Sequence, residues 1–460
     1  MRGISVMRGK NPKRLPRLKV FRQQGHPGSD RFLITEDGKP FFYLGDTAWE
    51  LFHRLTREEA TTYLQDRACK GFTVIQAVVL AELDGLNTPN AYGHTPLHRN
   101  DPTQPNEAYF EFVDFVVQKA EELGLYIGML PTWGDKVNKK WGVGPEIFTP
   151  DNARIYGEFL GRRYRGKPII WILGGDRPIE NETHLAIWRA MADGLRKGDD
   201  GEHLITFHPV GGRSSSEWLH GEPWLDFNML HSGHHARHIP NDEMVSRDYQ
   251  RTPVKPCMDG EPPYEDHPIN WDPRNGWFDD HDVREAAYWA LLAGAHGHTY
   301  GCHDIWQFYD PAKKRQPVSH ARTPWQVALQ LPAAGQMQFA RNLMLSRPML
   351  LRVPDQQLVT EPGQGADRVR AARAADGSYA FIYLPRPRSI MVRLGKLSGK
   401  RFRIWAFNPR NGEAQLLDER ERSDEISLLP PTNHDRERAD WVFVIDDADQ
   451  NFPPPGTPMP

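Results

Sequence analysis

An alternation of short apolar runs with helical segments, repeated over the first two-thirds of the chain, limits the fold more than any other feature. Residues 41–45 (FFYLG), 73–79 (TVIQAVV), 125–130 (LYIGML), 168–173 (PIIWIL), 204–208, 225–230, 254–259 and 298–302 read as strands. Helices are predicted over 56–70, 107–123, 151–165, 182–197, 281–293 and 324–345. The first has Thr56 as N-cap, Glu59 at the capping-box position and Gly71 past its end. In the second, Phe112, Phe115, Val116, Ala120 and Leu123 fall at helical spacing. Repeated β-then-α units imply a parallel sheet, and eight of them fit a closed (β/α)8 TIM barrel of the α/β class. A dinucleotide-binding fold would want GxGxxG after its first strand; the chain has LGDTAW there.

The texture changes near Ser346. Residues 379–384 (YAFIYL), 389–394 (SIMVRL), 401–407 (RFRIWAF) and 441–445 (WVFVI) read as strands, with turns at Asp376-Gly377 and Asn411-Gly412. The expected organisation is a basic flexible arm (1–20), a catalytic barrel (21–346), a small antiparallel β-sandwich (347–448) and a disordered tail (449–460).

Charge and composition exclude several classes. Lys and Arg number 57 against 60 Asp and Glu, a net charge of −3, so no nucleic-acid partner is expected. No run approaches the roughly 18 apolar residues of a membrane span. Cys69, Cys257 and Cys302 are too far apart for a CxxC metal pair and form no disulfide framework. No Walker A, dinucleotide or EF-hand motif appears, so no cofactor is expected. The start lacks an apolar signal segment, which points to the cytoplasm as written and to export if the start is incomplete. Oligomeric state is not legible.

Active sites of such barrels lie at the C-terminal ends of the strands. Polar and aromatic residues gather there: Asp46 and Trp49 after strand one, Trp133 after strand three, Asp176 and Arg177 after strand four. His208 follows strand five, His231 and His234 strand six, Glu261 and Tyr264 strand seven, and Asp304 and Trp306 strand eight. Asp176 (IIWILGGD) and Glu261 (VKPCMDGEP) each follow an apolar strand closely. Ends of strands four and seven face each other across a barrel mouth. Two carboxyls set across a sugar bond are the pair that glycoside hydrolysis requires. Gly174 and Gly175 would let the backbone approach a ligand closely.

The stretches LITEDGKPFFYLGDTAW, IIWILGGDR and PCMDGEPPYE resemble the apiosidase-like glycoside hydrolases, family 140. FRIWAFNPRNGE and DWVFVID resemble the small sandwich, named for collagen binding, that follows the barrel in that family. The resemblance implies a retaining glycosidase, with Asp176 as acid/base and Glu261 as nucleophile. It also implies a pectin side-chain substrate cleaved by an apiosidase. Arg177 and Tyr264 would hold Glu261 ionised. Asp46, Trp49, Trp133, His208, His231, His234, Asp304 and Trp306 would bind the carbohydrate.

Two rival readings remain. HSGHHARH (231–238), with His208, His303 and Asp304, could form a metal-dependent hydrolytic site, although no HExxH occurs and the expectation is no metal. A non-catalytic carbohydrate-binding barrel would show aromatics without a competent carboxylate pair.

Overall fold

The computed structural model describes residues 14–431 and 438–459. Most of the basic arm lies outside them. The chain first forms a small antiparallel sheet of β1 (Leu18–Val20), β2 (Leu33–Thr35) and β3 (Pro40–Phe41). Leu18, Val20, Leu33 and Phe41 pack on Tyr126, Ile170 and Leu204, so this sheet plugs the N-terminal end of the barrel. The arm is therefore anchored from Arg14 onward, contrary to the expectation of flexibility through residue 20. Arg14 and Arg17 pair with Glu202, and the Tyr126 hydroxyl donates to the Pro16 carbonyl.

Eight parallel strands follow in chain order. They are β4 (Tyr43–Thr47), β5 (Val74–Leu80), β6 (Tyr126–Thr132), β7 (Ile169–Gly174), β8 (Ile205–His208), β10 (Asn228–His231), β11 (Cys257–Asp259) and β12 (Gly297–Tyr300). The short β9 (Arg213–Ser214) adds antiparallel to β10. The last barrel strand, β12, returns to pair with β4. Between β8 and β10 the ladder is replaced by directed bonds. Asp226 N donates to the Ile205 carbonyl (2.8 Å), Ile205 N to Asp226 Oδ2 (2.7 Å), and Thr206 Oγ1 to the Phe227 carbonyl (2.7 Å). The eight-stranded barrel expected from the alternation is the fold observed. The seventh strand starts later than expected because Pro256 has no N–H for the ladder.

The helices are α1 (Leu51–Arg54), α2 (Arg57–Cys69), α3 (Glu107–Glu122), α4 (Pro150–Tyr164), α5 (Glu182–Asp199) and α6 (Ser216–Leu219). They continue with α7 (Asn241–Tyr249), α8 (Asp280–Leu292), α9 (His303–Trp306), α10 (Trp325–Ala328) and α11 (Pro332–Leu345). The capping box of Thr56 and Glu59 opens α2 as expected. The single helix expected over 324–345 is two. Pro332 cannot donate into a helix that began at Trp325, but it suits the first turn of a new one. No helix among the described residues is long and apolar enough to cross a membrane.

The C-terminal unit is a sandwich. One sheet has the order β13 (Arg352–Pro354), β14 (Arg370–Ala374), β15 (Tyr379–Leu384), β20 (Trp441–Asp447), β17 (Arg401–Phe407) and β18 (Ala414–Glu421). The other pairs β16 (Ile390–Arg393) with β19 (Glu425–Leu428). Ile382, Phe402, Ile404, Phe443 and Ile445 face Ile390, Val392 and Ile426 in one core. The tail is ordered where disorder was expected. Phe452 packs edge-on against Tyr379, Arg347 donates to the Pro453 carbonyl (3.0 Å), and Met459 N donates to the Leu345 carbonyl (3.0 Å).

Helix α8 is buried on nearly all sides because it lies between barrel and sandwich. Its Arg284, with 1% of the side chain exposed, makes a two-pronged pair with Asp440 (3.0 Å for both contacts). Arg410 Nη1 (3.0 Å) and the Tyr383 hydroxyl (3.2 Å) also donate to Asp440. Tyr288 stacks on Tyr383 at 4.9 Å. Removing one member of a buried pair strands the other charge, at a cost of about 3–5 kcal/mol. Asp440→Ala should therefore lower unfolding stability by about 3 kcal/mol or more in urea. A loss under about 1 kcal/mol would show that the interface does not depend on this pair.

Candidate active site

The strand ends surround a cavity of about 740 Å³, within the range of ligand pockets. Its deep part is aromatic. Trp49 and Trp133 lie 5.2 Å apart by ring centre, with Trp306 and Tyr264 beside them, all buried. Trp49 Nε1 donates to the Tyr264 hydroxyl (3.1 Å). Its rim carries two exposed rings, Trp141 (62% exposed) and Trp271 (49%). The charged groups facing it include Asp176, Glu261, His231, His234 and Glu82.

Asp176 ends a turn that only particular residues can make. Gly174 has φ +87° and Gly175 φ +120°. A Cβ at Gly174 would lie 2.3 Å from the His208 carbonyl oxygen, and one at Gly175 2.6 Å from Gly134 N. The two glycines thus allow strand end to approach strand end, not, as the sequence suggested, backbone to approach ligand. Asp176 itself sits at φ +55°, a left-handed conformation that Asp tolerates better than most residues. Its Oδ1 accepts from Gly211 N (3.3 Å) and lies 3.4 Å from His231 Nδ1. Its Oδ2 accepts from Arg177 Nη1 (3.0 Å).

Glu261 is placed by its neighbours' backbone. Gly260 N donates to the Leu230 carbonyl (2.8 Å), and Glu261 N to Asp259 Oδ1 (3.3 Å). Asp259 also accepts from Ser232 Oγ (2.7 Å) and Asn241 Nδ2 (3.0 Å), tying the β10 and β11 ends together. Three histidines meet the Glu261 carboxyl. His208 Nε2 is 2.7 Å from Oε2, His234 Nε2 is 3.2 Å from Oε1, and His231 Nδ1 is 3.6 Å from Oε2. The His208 contact is close but poorly aligned as a hydrogen bond. Burial alone would raise this carboxyl. The electrostatic pull of His231, the close contact of His208 and the bond from His234 outweigh it and hold Glu261 well below the ordinary carboxylate range. Burial lowers His234, and its bond to Glu261 opposes that. Burial, followed by the Glu261 charge, pushes the Tyr264 phenol far up.

The structure brings Trp49, Trp133, Asp176, His231, His234, Glu261, Tyr264 and Trp306 to the cavity. Four other residues expected in the site have different places. His208 stands behind Glu261 rather than on the cavity wall. Arg177 touches Asp176 and the Trp141 ring (4.5 Å), not Glu261, so the histidines do what was expected of it. Asp46 is buried against Arg67 and the Tyr63 hydroxyl. Asp304 accepts from Arg322 N and Thr323 N (2.9 Å each), holding a loop. Both were misread because a carboxylate at a strand end satisfies interior groups as readily as it faces a ligand. Glu82, Trp141, His235, His267 and Trp271 were missed, and Glu82 follows its strand closely enough to have been noticed.

His208, His231 and Glu261 offer donor atoms within 4.8 Å of one another, a spacing that could hold a metal ion. His303 and Asp304 are not part of this group. His303 Nε2 lies 2.9 Å from the Ser319 carbonyl oxygen.

Comparison with known proteins agrees with the geometry. Residues 28–351 match the family model "Apiosidase-like, catalytic domain", and residues 353–446 match "Putative collagen-binding domain of a collagenase". A solved structure named glycoside hydrolase is 32% identical, with a TM-score of 0.84, covering 94% of this chain and 97% of its own. A glycoside hydrolase family 5 structure from Bacteroides vulgatus is also 32% identical, with a TM-score of 0.86, covering 97% and 98%. No curated protein matches significantly. With a family model spanning most of the chain and full-length relatives of the same barrel-and-sandwich form, this protein belongs to the apiosidase-like glycoside hydrolases.

Proposed function

We propose that the chain is a retaining glycosidase in which Asp176 protonates the glycosidic oxygen and Glu261 attacks the anomeric carbon. The observation that carries this reading is the bridge through His231, which lies 3.4 Å from Asp176 Oδ1 and 3.6 Å from Glu261 Oε2. Those two oxygens are therefore no more than about 7 Å apart. That closeness is compatible with the retaining separation of about 5–5.5 Å between carboxyl groups, and the anomeric configuration of the first-formed sugar decides between retention and inversion. The electrostatics divide the roles in the same sense. Glu261, held ionised by histidines, suits a nucleophile. Asp176, at the cavity edge with a single side-chain cation on Oδ2, suits proton exchange with the leaving group and later with water.

In this mechanism Glu261 Oε forms a bond to the anomeric carbon as the bond to the leaving oxygen breaks. The proton on Asp176 passes to that oxygen. Water then attacks the glycosyl ester, giving its proton back to Asp176, and Glu261 leaves as carboxylate. The aromatic floor would stack on the sugar ring and exclude water. The substrate class suggested by the family is a pectin side chain, cleaved at an apiose linkage.

A second reading rests on the His208, His231 and Glu261 group as a divalent-metal site. Dialysis against a chelator separates the two. Activity unchanged, with no metal found by elemental analysis, supports the carboxylate pair. Loss restored by zinc supports the metal.

Aryl glycosides of several pentoses and hexoses, with pectic oligosaccharides, form the first screen. Glu261→Gln should abolish turnover, and Asp176→Asn should lower kcat about 10²–10⁴-fold on substrates with poor leaving groups. Turnover surviving both changes would refute the pair. Proton NMR of the first-formed sugar should show the substrate's own anomeric configuration, and the opposite configuration would refute retention. Because Glu261 is held low, kcat/KM should persist as pH falls through about 4.3, the ordinary Glu value, and fail only below it. His208→Ala should move that acid limb upward, towards the ordinary value. An unmoved limb would detach the histidine from the nucleophile.

A further inference from the structure

A third carboxyl faces the cavity. Glu82 lies two residues beyond β5, has 22% of its side chain exposed and lines the cavity wall. Two acidic groups near it each have a cationic or histidine partner and a backbone donor. Glu50 meets His53 (2.6 Å) and accepts from Leu83 N (3.1 Å). Asp135 meets Lys136 (2.7 Å) and accepts from Gly144 N (2.9 Å). Among the described residues, nothing donates a hydrogen bond to the Glu82 carboxyl. Its nearest cation, Arg177 Nη2, stands 3.6 Å away. Only part of Arg177 is engaged: its Nη1 serves both Asp176 Oδ2 (3.0 Å) and the Asp176 carbonyl (2.8 Å), while its Nη2, on the side of Glu82 but beyond hydrogen-bond distance, and its Nε have no hydrogen-bond partner.

The second observation is Trp141. Its guanidinium contact with Arg177 brings an exposed ring beside Glu82 on the same cavity wall. An unsatisfied polar group next to an exposed aromatic face suits a sugar, whose C–H face stacks while its hydroxyls bond at the edge. This wall belongs to the Asp176 side. The charges felt at Glu82 are those of Arg177, Asp176, Asp135 and Glu50, whereas Glu261 is surrounded by histidines.

We propose that Glu82 and Trp141 form the subsite for a sugar on the leaving-group side of the scissile bond, with Glu82 donating a hydrogen bond to a hydroxyl of that sugar. The inference rests on Asp176 as the acid/base. It makes the natural substrate a glycoside whose leaving group is itself a sugar.

The donor role fits the surroundings. Glu50 and His53 from α1, Asp135 and Lys136 beyond β6, and Asp176 and Arg177 beyond β7 are the charged groups around this wall. Burial first, then the Asp176, Asp135 and Glu50 carboxylates, push Glu82 up to about 8 against the pull of Arg177. The carboxyl is raised, so it holds its proton at neutral pH and loses it as pH climbs through 8.

The test measures binding of pectic oligosaccharides by calorimetry to Glu261→Gln protein, alone and combined with Glu82→Gln or Glu82→Ala. Glu82→Ala should weaken binding at least tenfold, and Glu82→Gln, whose amide still donates, should bind within about threefold of the parent. Binding to the parent should weaken above pH 8, and binding to the Gln variant should not. In protein that keeps the native Glu261, kcat/KM of Glu82→Ala should fall at least tenfold more on an oligosaccharide than on a nitrophenyl glycoside, which puts no sugar in this subsite. Equal losses on both substrates would show that Glu82 only supports Asp176 through Arg177, overturning the proposal. So would parental binding by Glu82→Ala, or no oligosaccharide binding at all. Turnover by Glu261→Gln itself would instead refute the catalytic pair on which the subsite depends.

Discussion

A carboxylate at a buried position is costly unless its surroundings return what water supplied. Glu261 is 6% exposed, and the compensation comes from His208 on β8 and from His231 and His234 at and after the end of β10. Those residues converge only when the barrel closes. The seam between β8 and β10 is made by Asp226 and Thr206 rather than by a continuous ladder. Closure of the barrel at that seam is thus what lets Glu261 stay ionised once it is buried. A barrel that failed to close there would leave the carboxyl buried without its histidine partners.

The opposite wall works on a different principle. Arg177 stands between Asp176 and Glu82 and under the Trp141 ring, so one guanidinium serves two carboxyls and an aromatic platform. A cation shared in this way satisfies neither carboxyl fully. One wall holds Glu261 firmly charged through its histidines, while on the other burial and neighbouring carboxylates raise Glu82 against the pull of Arg177.

Much of this was legible from the alternating apolar runs, because a strand buried on both faces must be nearly continuous in apolar residues. Asp176 and Glu261 were legible for a related reason: each directly follows such a run, where the scaffold is stiff. The missed sandwich strands were poorly marked. β18 is largely exposed and carries AQLLDERE, a charged sequence suited to an unpaired edge and without apolar alternation. Asp46 and Asp304 misled because their buried partners, Arg67 and the loop amides of Arg322 and Thr323, come from elements distant in sequence. The tail, rich in Pro, looked free because its anchors, Arg347 and Leu345, lie more than a hundred residues away.

The left-handed backbone at Asp176 narrows what its position can become. Asp enters that region because its short side chain can bond locally, and a longer Glu has no such advantage. Two glycines whose Cβ positions are already occupied by neighbouring backbone leave the turn no room to relax. The reach of the carboxyl is thus set by the main chain, and lengthening the acid would displace its oxygen without freeing the loop. Homologues that keep the double glycine are therefore expected to keep aspartate after it, whatever sugar their cavities have come to hold.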